Sequence, residues 1–232
     1  MKNNKILLGV KSFALVMMVI CFSSVIYTIF GIDTSTISDK RYVVYYTLSN
    51  VLLLGIYFVI FYKTLIRDAK EYFKNFGKNF ETSLKYWLIG YAIMIVSNLV
   101  ISFVFKKTIA GNEEAVRSYI NAFPLLMIFD VSVYAPFVEE LTFRKSIRDV
   151  INNKWCYVLA SGLLFGLLHI IGYIDNVSDL IYLIPYGSLG VCFALLYYKT
   201  DNIFSSIVVH SLHNSIAIFL YLVMGGVIWK SL

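Results

Sequence analysis

Apolar residues run through this chain in long unbroken blocks, separated by short polar segments, and no extended stretch alternates with the period of a half-buried strand. Blocks of about twenty apolar residues match the length of a bilayer-crossing helix. They fall at 12–32, 42–62, 85–105, 122–143, 155–173, 180–198 and 203–228, which predicts seven spans. The fourth block is interrupted by Asp130 and Pro136, and the sixth by Pro185. Between Lys63 and Lys85 the pattern changes: Leu65, Ile66, Ala69, Tyr72, Phe73, Phe76 and Phe80 recur at helical spacing with lysines between them. That spacing predicts an amphipathic helix lying in the membrane plane, broken near Gly77. The expected fold is all-α, a polytopic transmembrane helical bundle of about seven to eight helices. The stretch Gly111 to Arg117, with Glu113 and Glu114, reads as a solvated loop, and Trp229 with Lys230 as a headgroup-level anchor.

Composition agrees with this pattern and narrows it. Of 232 residues, 59% are hydrophobic and only 15% charged, too apolar for a soluble domain of that length. The chain reads as a single integral membrane domain over 1–232. Helices within 1–110 carry no chemical signature, and a catalytic core occupies 120–228. The first block is too long for a signal-peptide core and no small-x-small cleavage site follows it, so it is kept as a span. Cys21, Cys156 and Cys192 all lie in apolar blocks and read as buried small hydrophobes, without a disulfide or zinc-type spacing. The net charge of +6 is segregated. Most Lys and Arg residues fall in segments that share one side of the membrane if the N-terminus is cytoplasmic, including those around 63–85, 144–154 and 199. The basic balance is therefore a topology signal, not a nucleic-acid footprint. A Lys-, Asn- and Ile-rich chain without a eukaryotic targeting signal points to a bacterial plasma membrane.

Polar groups inside the late blocks are expensive there, at about 3 kcal/mol for a charge near the bilayer centre. In the run Pro136-Phe137-Val138-Glu139-Glu140-Leu141-Thr142-Phe143-Arg144, Glu140 and Arg144 lie four apart on one helix face, in the favourable order for pairing. Glu139 points about 100° away and has no cation within its helix. Pro136 removes a backbone donor just before it. Gly162 and Gly166 form a small-xxx-small pair beside Phe165 and His169. His210 and Asn214 share a face four residues apart, with His213 in a supporting position. Hairpin turns near 152–154 and 200–202 place Glu139 and His169 about 20 Å, and His210 and Asn214 about 12–18 Å, from their turns. All three elements can thus meet at one depth, in a cavity expected to open to the cytoplasmic side.

The ordered trio Glu-Glu-x-x-x-Arg, Phe-x-x-x-His and His-x-x-x-Asn resembles the CPBP family of intramembrane proteases. That family includes the CAAX prenyl endopeptidases and the Abi-type proteins linked to bacteriocin processing and self-immunity. The resemblance covers roughly residues 130 to 220 and implies hydrolysis of a peptide bond in a membrane-associated peptide or protein. It implies Glu139, His169, His210 and Asn214 as the catalytic set, with Glu140, Arg144 and Phe165 supporting it. Glu139 with His169 would activate water, and His210 with Asn214 would face the oxyanion. Zinc held by Glu139, His169 and His210 is the competing scheme, but no His-Glu-x-x-His pair is present and the metal-free scheme is favoured. The expected partners are the bilayer and a peptide substrate. A proton-coupled transporter and a non-catalytic scaffold or immunity protein are the alternatives from other functional classes.

Overall fold

The computed structural model of the chain describes residues 2–32, 40–107 and 109–228. Eight helices account for nearly all of them: α1 (Lys2–Phe30), α2 (Lys40–Lys74), α3 (Phe76–Phe105), α4 (Gly111–Ala122), α5 (residues 124–150), α6 (Lys154–Ile170), α7 (Leu183–Thr200) and α8 (Ile203–Ile228). Two 3-10 turns, Ile171–Tyr173 and Val177–Tyr182, join α6 to α7, and no strand occurs among the described residues. Six helices (α1, α2, α3, α6, α7 and α8) are long and apolar enough to cross a bilayer, so the protein is a multi-pass membrane protein. Trp229 and Lys230 lie outside the described residues.

The fourth predicted span is different in kind. Helix α5 is α-helical at Pro124–Phe129, widens to a π-helix at Asp130–Tyr134, and returns to α at Ala135–Glu140. It widens again at Leu141–Ser146 before a last α turn at Ile147–Val150. Asp130, Glu140 and Arg144 are all buried, so this helix turns its charges into the bundle and is not a uniformly lipid-facing rod. The first widening has a readable cause. The Ala135 amide donates to the Asp130 carbonyl, five residues back. The next amide in that register would reach Val131, but residue 136 is proline and has none. The Val131 carbonyl is left to find another donor.

Two other expectations need correction. The stretch 63–85 does not form a helix of its own. Helix α2 continues through it to Lys74, α3 begins at Phe76, and the break falls at Asn75, two residues from the expected Gly77. The helical spacing of aromatics was real, but it serves to join two helix ends. Phe73 stacks on Phe76 and Phe76 on Phe80, with ring centroids 6.0 and 5.2 Å apart, while Phe73 meets Phe204 of α8 edge-on at 5.9 Å. The segment after Gly111 is the helix α4, not a loop. It is pinned by an Arg117–Glu113 pair at 2.9 Å and by buried Ile120. The three cysteines also differ: Cys192 is buried, Cys21 is partly covered and Cys156 is exposed.

Helices α6 and α7 approach closely, as the small-xxx-small pair predicts. A Cβ at Gly162 would fall 2.5 Å from Val191 Cγ2 and 2.9 Å from the Val191 amide nitrogen. One at Gly190 would fall 2.9 Å from the Gly162 carbonyl oxygen. Helix α6 starts sharply because the Asn153 side chain accepts from the Trp155 and Cys156 amides, both at 3.0 Å. Helix α8 starts against α2: the carboxylate of fully buried Asp68 accepts from the Ile203 amide at 2.9 Å. These caps fix the register of the two helices that carry His169 and His210. The break at Asn75 and the turns at 151–153 and 201–202 lie at one end of the bundle, and α4 and the 171–182 connection lie at the other.

Candidate active site

Helices α5, α6 and α8 bring the predicted residues together in the middle of the bundle. Glu140 and Arg144 are both completely buried and pair at 2.9 Å. Arg144 also donates to Ser161 Oγ of α6 at 3.1 Å, and Ser161 in turn donates to the Phe143 carbonyl at 2.7 Å. The guanidinium lies 4.6 Å from the Phe165 ring centre and 5.9 Å from that of Phe193. A buried charge needs this density of partners, because an unmatched one costs several kcal/mol. The other edge of the Glu140 carboxylate meets His210, with Nδ1 2.9 Å from Oε1.

That contact fixes the state of the neutral His210 ring. A carboxylate accepts, so Nδ1 carries the proton and Nε2 presents its lone pair. Nε2 faces Glu139 Oε2 at 3.9 Å. This Glu139 oxygen is buried and has no hydrogen-bond partner among the described residues. A buried acceptor left so costs about 1–3 kcal/mol. His169 is oriented by the same logic. Its Nδ1 lies 2.9 Å from the Phe165 carbonyl of its own helix, so the proton is on Nδ1 and Nε2 is an acceptor. Tyr186 stacks on the His169 ring at 4.7 Å, and the Phe165 ring centre lies 4.5 Å from that of His169 and 5.6 Å from that of His210.

Asn214 supplies the donor missing from α5. Its Nδ2 donates to the Val131 carbonyl at 2.8 Å, the acceptor orphaned by Pro136. One amide hydrogen is thereby engaged, and the second remains. Glu139, His169 and Asn214 all line a cavity of about 300 Å³ that also includes Asn112, Glu113 and Arg117 of α4, with Tyr173, Tyr186 and Tyr221.

The way in differs from the expectation. Towards the 151–153 and 201–202 turns the site is closed by Leu141, Phe143, Tyr157 and Val158, each no more than 1% exposed. The cavity instead reaches the α4 end of the bundle. Equal depth was inferred correctly from residue spacing, but spacing does not say which side of the reacting groups is packed solid.

Three features had no place in the sequence reading of the site. Asp130 lies on the cavity wall, accepting from Tyr46 Oη and Asn50 Nδ2, both at 2.6 Å. An acid inside the apolar run Leu125 to Phe137 was the signal. Ser161, which links α6 to Arg144, and Trp87, which donates to His213 at 3.3 Å, had no comparable signal. Among the described residues no group of three His, Cys, Asp or Glu side chains is placed to hold a metal ion.

A helical membrane bundle that gathers a glutamate, two oriented histidines and an asparagine beside one cavity has the arrangement of a membrane-embedded hydrolase. Comparison with known proteins agrees. Residues 121–216 match the family model of the type II CAAX prenyl endopeptidase, Rce1-like. YxdF of Lactococcus lactis, a UPF0177 protein, is 30% identical over 166 residues, 69% of this chain and 86% of that protein. YdiL of Bacillus subtilis, to which a membrane-peptidase role is ascribed, is 32% identical over 114 residues, 48% of this chain and 43% of YdiL. The membrane-embedded CAAX protease MroQ of Staphylococcus aureus is 27% identical over 149 residues, 58% of this chain and 57% of MroQ. The chain thus spans about half the length of the last two relatives. No solved structure matches it. The chain belongs to the family of YxdF, and over residues 121–216 it carries an Rce1-like domain of the CAAX prenyl endopeptidases.

Proposed function

We propose that this protein hydrolyses a peptide bond in a membrane-associated peptide or protein, using water activated by Glu139. The observation that carries the reading is the unpartnered, buried Glu139 Oε2 set 3.9 Å from His210 Nε2 on the wall of a cavity shared with His169. A gap of that size admits a water that donates one hydrogen to Glu139 Oε2 and keeps the other for His169. Glu139 takes the proton as the water oxygen bonds to the substrate carbonyl carbon, and His169 Nε2 holds the water's second hydrogen. The oxyanion is met by the remaining Asn214 amide hydrogen and by His210 when Nε2 is protonated, a form in which each ring nitrogen faces a carboxylate. Glu139 then returns its proton to the leaving amine as the C–N bond breaks. Arg144 keeps Glu140 ionised and in place, and so holds the His210 ring.

With the basic turns inside, by the positive-inside rule, the N-terminus is cytoplasmic and the cavity opens to the outer side. Maturation of a leader-bearing or signalling peptide, or of a bacteriocin, fits that geometry. The test is purified protein in lipid nanodiscs with a panel of apolar peptides in 18O-labelled water. Wild type should yield two fragments with 18O in the new carboxylate, and His169→Ala should yield little product. Absence of cleavage across the panel, or equal cleavage by the variant, rejects the scheme. A single cysteine at Asn112, in a chain without other cysteines, should react with impermeant maleimide only from outside intact cells.

A further inference from the structure

His213 has no part in the mechanism above, yet its ring lines both the catalytic cavity and a larger groove of about 640 Å³ next to it. The groove lies between α3, α7 and α8 and is bordered by α4; Tyr91, Met94, Tyr182, Pro185, Leu220 and Met224 line it, with Glu113 and Arg117 at the α4 edge. Cavity and groove also share Glu113, Arg117, Tyr186, Ala217 and Tyr221, so the two spaces adjoin at His213.

The hydrogen-bond partner of His213 sets its chemistry. An indole N–H can only donate, and Trp87 Nε1 lies 3.3 Å from His213 Nδ1. Nδ1 is therefore the acceptor and carries no proton, so the ring proton is on Nε2. Trp87 and Tyr91 stack at 5.2 Å, and Tyr91 meets the imidazole edge-on at 5.5 Å, which holds the ring in this orientation. The three histidines thus divide by tautomer. His169 and His210 have Nδ1 partners that accept and so present lone pairs at Nε2, whereas His213 has a partner that donates and so presents an N–H. It is the imidazole donor that the neutral site otherwise lacks.

The geometry points to the groove as the binding site for the peptide segment beside the scissile bond, with His213 Nε2–H holding one of its backbone carbonyls. This rests on the peptidase reading and names the substrate it takes: a short, unwound apolar segment. A segment opened from its helix beside the scissile bond exposes backbone carbonyls, and these need donors. The aromatic and methionine walls take apolar side chains of varied shape.

The test measures binding of a fluorescently labelled apolar peptide to Glu139→Gln protein in nanodiscs, so that no cleavage intervenes. Adding His213→Phe should weaken binding about tenfold, the loss expected for one buried hydrogen bond. His213→Gln, which can accept from Trp87 and still donate, should recover affinity to within about threefold. Unchanged affinity in His213→Phe, equal loss in both variants, or failure of apolar peptides to bind at all overturns the proposal. Binding that depends on His213 in a protein that cleaves nothing would remove the peptidase reading and leave the groove. Cleavage with normal KM in His213→Phe would remove the groove assignment alone.

Discussion

Replacing Arg144 by methionine should destabilise the protein severely, and replacing Glu140 with it should restore most of the loss. Arg144 and Glu140 are wholly buried, and the guanidinium holds Glu140, Ser161 and the face of Phe165 at once. Removing one member of such a pair leaves the other charge uncompensated, which costs about 3–5 kcal/mol. The Phe165 contact at 4.6 Å adds about 1 kcal/mol to that loss. For a chain of this length each kcal/mol lowers Tm by about 2–4 °C, so a fall of roughly 10 °C or more is expected. In Glu140→Gln/Arg144→Met the buried charge is gone and the volumes are kept, so the double variant should recover at least half of the shift. Thermal unfolding followed by circular dichroism in one detergent gives the three comparisons. The reasoning fails if Arg144→Met unfolds within about 2 °C of wild type, or if the double variant is no better than the single. Recovery of the fold should not recover cleavage, because His210 then loses the carboxylate that fixes its tautomer.

The remaining predictions follow from other contacts. Gly162→Val should abolish accumulation of folded protein, since even a Cβ lies 2.5 Å from Val191, whereas Gly172→Ala, with nothing within 4 Å, should be neutral; monodispersity on size-exclusion chromatography reads both. Asn214→Ala should cost about 1–3 kcal/mol by leaving the Val131 carbonyl unpaired. Adding Pro136→Ala, which supplies an amide in the right register, should return part of that stability but not the activity; thermal melts and cleavage assays separate the two. Chelator should leave the rate of peptide cleavage unchanged, and a loss reversed by zinc would refute the metal-free scheme.

Much of the bundle was legible because bilayer helices are read from one-dimensional hydropathy. The block 203–228 returned as a helix with its expected bounds, and 85–105 as the C-terminal two thirds of a helix that begins at Phe76. The block 122–143 did not behave as a lipid-facing span, because hydropathy averages over Asp130, Glu139 and Glu140 and cannot say that they turn inward. The amphipathic period at 63–85 was equally consistent with a surface helix or with two helices meeting at a turn; only packing of Phe73 against Phe204 selects the second. In the site, the Glu140–Arg144 pair followed from four-residue spacing and the solitary Glu139 from its rotation about the helix. The His169 tautomer follows from a carbonyl four residues back on its own helix, but those of His210 and His213 depend on partners 70 and 126 residues distant, and no local pattern encodes them.

The central claim is that Glu139 is the base, and its most direct measurement is the cleavage rate of Glu139→Gln beside its affinity for the same peptide. The amide keeps the shape of the carboxylate and cannot take a proton, so kcat should fall by about 10²–10⁴ with Kd unchanged within about threefold. A Glu139→Gln protein that still cleaves within tenfold of wild type would contradict the account.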